Sequence, residues 1–207
     1  VVERGNTAIL VTMSPEGAVL DRRSVELTSD LPTHPYHHEG AWAMGRYLGS
    51  PWARPVSLAD AIALVEQVTD AAMLGATEAL AALATAIPTE IDRIAIRACP
   101  EMPPTIEGRI KDNRTQLIAD SVMYRHALAA AAEARGWQVV WYDRDHAIMD
   151  APAASGIKDI DAFLNGLGRT LGPPWRADHK LAAMVALIAM RKAKVAAVSS
   201  LSKDTEL

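Results

Sequence analysis

Apolar and β-branched residues run from Ala8 to Met13, where Ser14-Pro15-Glu16-Gly17 interrupts them. Ala18-Val19-Leu20 and the alternating Ser24-Val25-Glu26-Leu27-Thr28 follow. Two such runs about a Pro/Gly turn predict an antiparallel hairpin. His34-Pro35-Tyr36-His37-His38-Glu39 reads as a short edge strand or a loop, because proline cannot donate within a central ladder. Residues 40–56 lack periodicity and read as a connector. Ser57 then offers an N-cap, with Asp60 three positions on. Apolar residues at 62, 65, 68, 69, 72 and 73 predict a long helix that Pro88 stops. Residues 93–99 read as a strand. Residues 115–135 read as a helix with Leu117, Ser121, Tyr124, Leu128 and Ala131 on one stripe and Gly136 as its stop. A strand over 137–142 is followed by two short helices within 145–168, broken at Ser155-Gly156. Gly172-Pro173-Pro174-Trp175 then forms a rigid turn into a last helix over 177–196.

The chain has 207 residues, half of them hydrophobic and 22% charged, a balance that excludes disorder of the whole. A single cysteine, Cys99, excludes a disulfide framework and a thiolate zinc site. The formal charge of −4 gives no global attraction to nucleic acid or to anionic membranes, although it leaves room for a local basic groove. No apolar run is long enough to span a bilayer, and Val1-Val2-Glu3-Arg4-Gly5 lacks the apolar core of a signal peptide. These features predict a soluble cytoplasmic protein that makes no membrane contact, with one domain over 1–198 and a flexible tail over 199–207.

Antiparallel strands first, then alternating helices and strands, predict an α/β fold with a mixed sheet flanked by helices. Over residues 7–196 that layout resembles the ribonuclease H-like fold, which includes ribonuclease H and the RuvC-type Holliday-junction resolvases. At motif level, Leu31-Pro-x-x-Pro-Tyr-His-His-Glu39, Asp120-x-x-x-Tyr124 and Leu171-Gly-Pro-Pro-Trp175 resemble a bacterial protein family with no assigned activity. Nucleases of the ribonuclease H-like fold hold two divalent metals on carboxylates, so that attacking and leaving oxygens are both stabilised. The resemblance implies an Asp on the first strand, an acid near the end of the fourth, and an Asp or His on the last helix. The run read as the first strand, Leu10-Val11-Thr12-Met13, carries no carboxylate. Glu101 lies just beyond the fourth strand, and Asp178 and His179 open the last helix. The implied protein is a degenerate nuclease-like domain that binds nucleic acid or a nucleotide. Its candidate catalytic residues are Asp178, His179, Glu101 and Asp120, with one divalent metal ion rather than two. His179 and at least one of Glu101 and Asp120 are expected to share a pocket.

Other constellations compete with this one. His37, His38 and Glu39, with His34 nearby, have the donor types of a transition-metal site, although alternation would turn His37 and His38 to opposite faces. The reading to prefer is a polar loop whose histidines bond backbone and cover a sheet edge. Asp120 and Tyr124 are four apart on one helix face and suit a ligand pocket or a buried polar network. Trp175 stands where a rigid turn feeds a helix, as a ligand contact or an aromatic plug. Gly166-x-Gly168-x-x-x-Gly172 follows a helix and precedes two prolines, so it is not a dinucleotide loop, and no phosphate-binding P-loop occurs. Arg109, Lys111 and Arg114 read as a solvated basic loop. The alternative to a nuclease-like domain is a non-catalytic structural protein, dimerising through its alanine-rich helices.

Overall fold

A computed structural model describes residues 1–37, 56–112 and 114–203, with side chains to Arg191. His38 and Glu39 of the proposed metal set, and nearly all of the connector, lie outside the described residues. Three strands open the chain: β1 (Val2–Arg4), β2 (Thr7–Met13) and β3 (Val19–Glu26), antiparallel in the order β1-β2-β3. The expected hairpin is β2–β3. At its turn, Ser14 N–H donates to the Ala18 carbonyl at 2.7 Å, and Gly17 takes a φ of +89°, which favours glycine. β1 is a strand the hydrophobic pattern does not announce, and it makes β2 the second strand rather than the first.

Helix α1 (Leu58–Ala86) begins with the expected capping box between Ser57 and Asp60. It buries Ala61, Val65, Val68, Ala72, Ala76, Leu80 and Leu83, the three-and-four spacing of a single helix face. Gly75 on α1 touches the backbone of Leu27, so a methyl group there would lie 2.8 Å from the Leu27 carbonyl carbon and closer still to its oxygen. β4 (Arg93–Arg97) pairs in parallel with β5 (Gln138–Tyr142), and α3 (Gln116–Glu133) connects them.

Between β4 and α3 the structure has an additional short helix, α2 (Ile106–Lys111), where the sequence reads as a solvated loop. Its signal is capping chemistry rather than periodicity: Thr105 accepts from Gly108 N–H at 3.0 Å, and Lys111 pairs with Glu107 one turn back. After β5 come three short helices rather than two, α4 (Arg144–Met149), α5 (Ala151–Ser155) and α6 (Ile160–Leu171), with the break at Gly156 where expected. The turn before the last helix is rigid because Arg22 grips it from β3. Its guanidinium donates to the carbonyls of Gly172 at 2.8 Å and Pro174 at 2.7 Å, and to those of Leu171 and Pro173 at 3.3 Å. The last helix, α7 (Ala177–Lys203), runs seven residues past its expected end at 196. No helix among the described residues is long and apolar enough to cross a membrane.

Two helical layers share the strands. Ala8 and Leu10 of β2 and Ile94 and Ile96 of β4 face α1 and α3, whereas Val11, Met13 and Ala95 face α7 and α6. Period-two alternation therefore sends both sheets' side chains into the same two cores. The Val1 backbone nitrogen donates to Ala95 O at 2.8 Å and so places β1 beside β4.

Candidate functional site

The end of β1 brings two oppositely directed charges to the junction of strands and helices. Val2 is buried with α7, so alternation turns Glu3 toward α3. There Arg125 Nε and Nη2 donate to Glu3 Oε2 and Oε1 at 3.1 and 3.0 Å, and Nη1 donates to Ala98 O at 3.2 Å just past β4. This two-pronged fork is enclosed: the Arg125 and Glu3 side chains are 8% and 7% exposed. The next residue, Arg4, points the other way. Its Nη2 and Nε donate to Asp178 Oδ1 and Oδ2 at 2.7 and 3.2 Å, at the first turn of α7. That hydrogen bond is the main reason the Asp178 carboxyl is held below the usual carboxylate range.

Aromatic and basic groups surround the pair. Burial pushes the Tyr142 phenol up to about 12, and its hydroxyl donates to Val1 O at 3.2 Å. Cys99 is half-buried, and desolvation raises its thiol despite the opposing Arg125 charge, so it is no poised nucleophile. His126 sits edge-on to Trp141, with ring centroids 6.1 Å apart. Burial lowers its pKa, and the Arg109 and Arg125 charges lower it further. Arg97 and Arg144 are exposed, and the field of both reaches Tyr142.

The residues singled out from the sequence go to separate tasks. Asp120, buried in α3, accepts from Tyr36 N–H at 2.9 Å, and the Tyr124 hydroxyl donates to Thr33 O at 3.1 Å. Together they pin the 31–37 segment to α3, with Arg109 Nη1 donating to the Tyr36 hydroxyl at 3.4 Å. His37 is half-buried on that same segment. Trp175 donates its indole N–H to Leu164 O at 2.8 Å and lies over His179, ring centroids 6.0 Å apart. His179 Nδ1 accepts from Arg176 N–H at 3.3 Å, inside its own helix start. Glu101 is exposed in the segment after β4. A cavity of about 420 Å³ lies elsewhere, between β2 and β4, and none of Asp178, His179, Glu101, Asp120, Tyr124 or Trp175 lines it.

Glu101, Asp120, Asp178 and His179 are not gathered as metal ligands. Among the described residues no three of His, Cys, Asp and Glu come together as ligands. Glu3 and Asp178, the acids best placed at the end of β1, each have both oxygens engaged by a guanidinium.

His179 yields an expected pH dependence. Desolvation is the first cause of its lowered pKa, and the Arg22 charge adds to it. The unfolded chain then takes up a proton near pH 6.5 that the folded protein resists, so stability is full above that pH and falls as pH drops through it. Chemical denaturation at pH 7.5, 6.5 and 5.5 should show that decline. His179→Asn, whose amide oxygen can still accept from Arg176, should flatten part of it, with His126 supplying the remainder. An unchanged slope in the variant would remove His179 from the account.

Glu3 is hidden in the sequence because the stronger apolar run at Ala8–Met13 reads as the first strand. The signal was present, though short: two β-branched valines, an acid, and then Gly5 at a φ of +57° turning into β2. Comparison with protein-family models, with curated proteins and with solved structures finds no match to this chain.

Proposed function

We propose that this chain is a degenerate ribonuclease H-like domain that binds a phosphodiester backbone without hydrolysing it. The carrying observation is the buried Glu3–Arg125 fork at the end of β1, matched by Arg4 on Asp178. With β1 as the first strand, Glu3 stands where that resemblance expects the first-strand acid, and Asp178 where it expects the last-helix acid. In-line hydrolysis of this class needs carboxylates free to bridge metal ions. Here a fixed guanidinium supplies the positive charge at each acid instead. The layout supports the reading as well: antiparallel β3-β2-β1, Val1 just before β1 bonded to Ala95 of the parallel pair, and helices over both faces. Arg97 and Arg144 are exposed at this junction and offer cations to phosphates without reading bases.

Fluorescence anisotropy with labelled single-stranded DNA, duplex DNA and RNA–DNA hybrid tests this. Binding is expected at tens of micromolar protein or below and should weaken with salt. The double substitution Arg97→Ala, Arg144→Ala should weaken it for every sequence and flatten the log–log salt dependence by about two, one for each lost phosphate contact. Absence of salt-sensitive binding to all three probes would sink the proposal.

A further inference from the structure

Trp141, next to the last residue of β5, is 41% exposed, whereas its register neighbour on β4, Ile96, is 1% exposed. Both side chains point to the α3 side, since Ile96 packs in the α1/α3 core and Trp141 meets His126 of α3. The indole therefore extends past the core that Ile96 closes. So much aromatic surface left in water forgoes burial that would otherwise favour folding. His126 meets the indole with the ring planes 61° apart, an edge-on contact that covers at most one of its faces. Burial and the Arg109 and Arg125 charges keep that imidazole neutral at pH 7, so His126 adds an aromatic ring rather than a cation. The other described tryptophans are engaged. Trp137 is buried beneath the Arg135 guanidinium, and Trp175 donates to Leu164 O and lies over His179.

Cations stand on the opposite face of the same strand end. Alternation turns Tyr142 toward α7, where the charges of Arg97 and Arg144 reach its phenol. Asp143, the acid between Tyr142 and Arg144, is taken up at the start of α4, where it accepts from His146 N–H at 2.8 Å. The end of β5 thus presents an exposed indole on one side and two exposed guanidiniums on the other. In a duplex each base face is stacked against its neighbours. An aromatic side chain therefore reaches a base face where the strand is unpaired.

We propose that Trp141 is a stacking platform for an unpaired base, so that this chain takes single-stranded nucleic acid in preference to duplex. The inference rests on the phosphodiester reading above: Arg97 and Arg144 hold phosphates, and Trp141 holds a base of the same strand. Every base has a π-face, so the preference is for unpaired strand and not for sequence.

The test uses three labelled probes of equal length: a single strand of deoxyadenylate, its duplex with thymidylate, and a strand of abasic sites that keeps the phosphates and lacks the bases. By anisotropy, the parent protein should bind the adenylate strand about fivefold or more tighter than the abasic strand, and tighter than the duplex. Trp141→Ala should bring the adenylate strand down to the abasic one and leave the salt dependence unchanged, whereas Trp141→Phe should keep most of the difference. Salt-sensitive binding of equal strength to the adenylate and abasic strands would overturn the stacking proposal and leave the phosphodiester reading standing. So would a preference for adenylate that survives Trp141→Ala. Binding to none of the three probes would remove that reading, and the stacking proposal with it.

Discussion

Arg125→Ala is expected to lower the thermal midpoint by about 10 °C. The substitution leaves the Glu3 carboxylate buried without its two charge-assisted hydrogen bonds, and breaking such a pair costs about 3–5 kcal/mol. For a chain of this length each kcal/mol moves the midpoint by about 2–4 °C. The cost arises from the stranded charge rather than from the lost attraction. Glu3→Gln combined with Arg125→Met should therefore recover most of the loss, because it removes both charges and keeps similar volume. Calorimetry of the two variants decides the matter. If Arg125→Ala melts within about 2 °C of the parent, the fork is not the buried device described here.

Gly75→Ala is the second large effect, and two contributions of opposite sign meet in it. Alanine in a helix interior is favoured over glycine by about 1 kcal/mol. Against this, the added methyl group would overlap the Leu27 carbonyl, which is backbone and cannot rotate away. Overpacking of a tight contact costs about 1–3 kcal/mol or more when backbone must move, so the clash should win and the variant should be destabilised. Gly166→Ala is the control. Its methyl group would meet only the end of the Arg169 side chain at 3.7 Å, so helix propensity alone should act and stabilise the protein. Urea unfolding with a higher midpoint for Gly75→Ala would contradict the close approach of α1 to Leu27.

Most elements were legible because a single periodicity ran through each. The Ser57–Asp60 box, the Pro88 stop and the Gly136 stop mark α1 and α3 within a residue or two. Short elements escaped for a different reason. β1 has three residues and α2 six, too few for periodicity to show, so only turn and cap chemistry could reveal them. The site suffered most from this. With Ala8–Met13 as the strongest apolar run, Glu3 falls outside the first strand the pattern predicts. In sequence Arg125 is a neighbour of Tyr124, and nothing in the helix pattern marks it as the partner of an acid 122 residues away. The four-residue spacing puts Asp120 on a face with Tyr124, but its partner is the backbone of Tyr36, a contact that no helix pattern announces.

The central claim is that arginines at Glu3 and Asp178 replace metal chemistry with binding alone. One titration tests it most directly: labelled single-stranded DNA with excess protein, in EDTA and in Mn²⁺, reading anisotropy and strand length in the same samples. The account predicts the same binding curve in both buffers, intact strands throughout, and loss of binding as salt rises. Strands cut in Mn²⁺ and spared in EDTA, by the parent protein and not by Asp178→Asn, would contradict it.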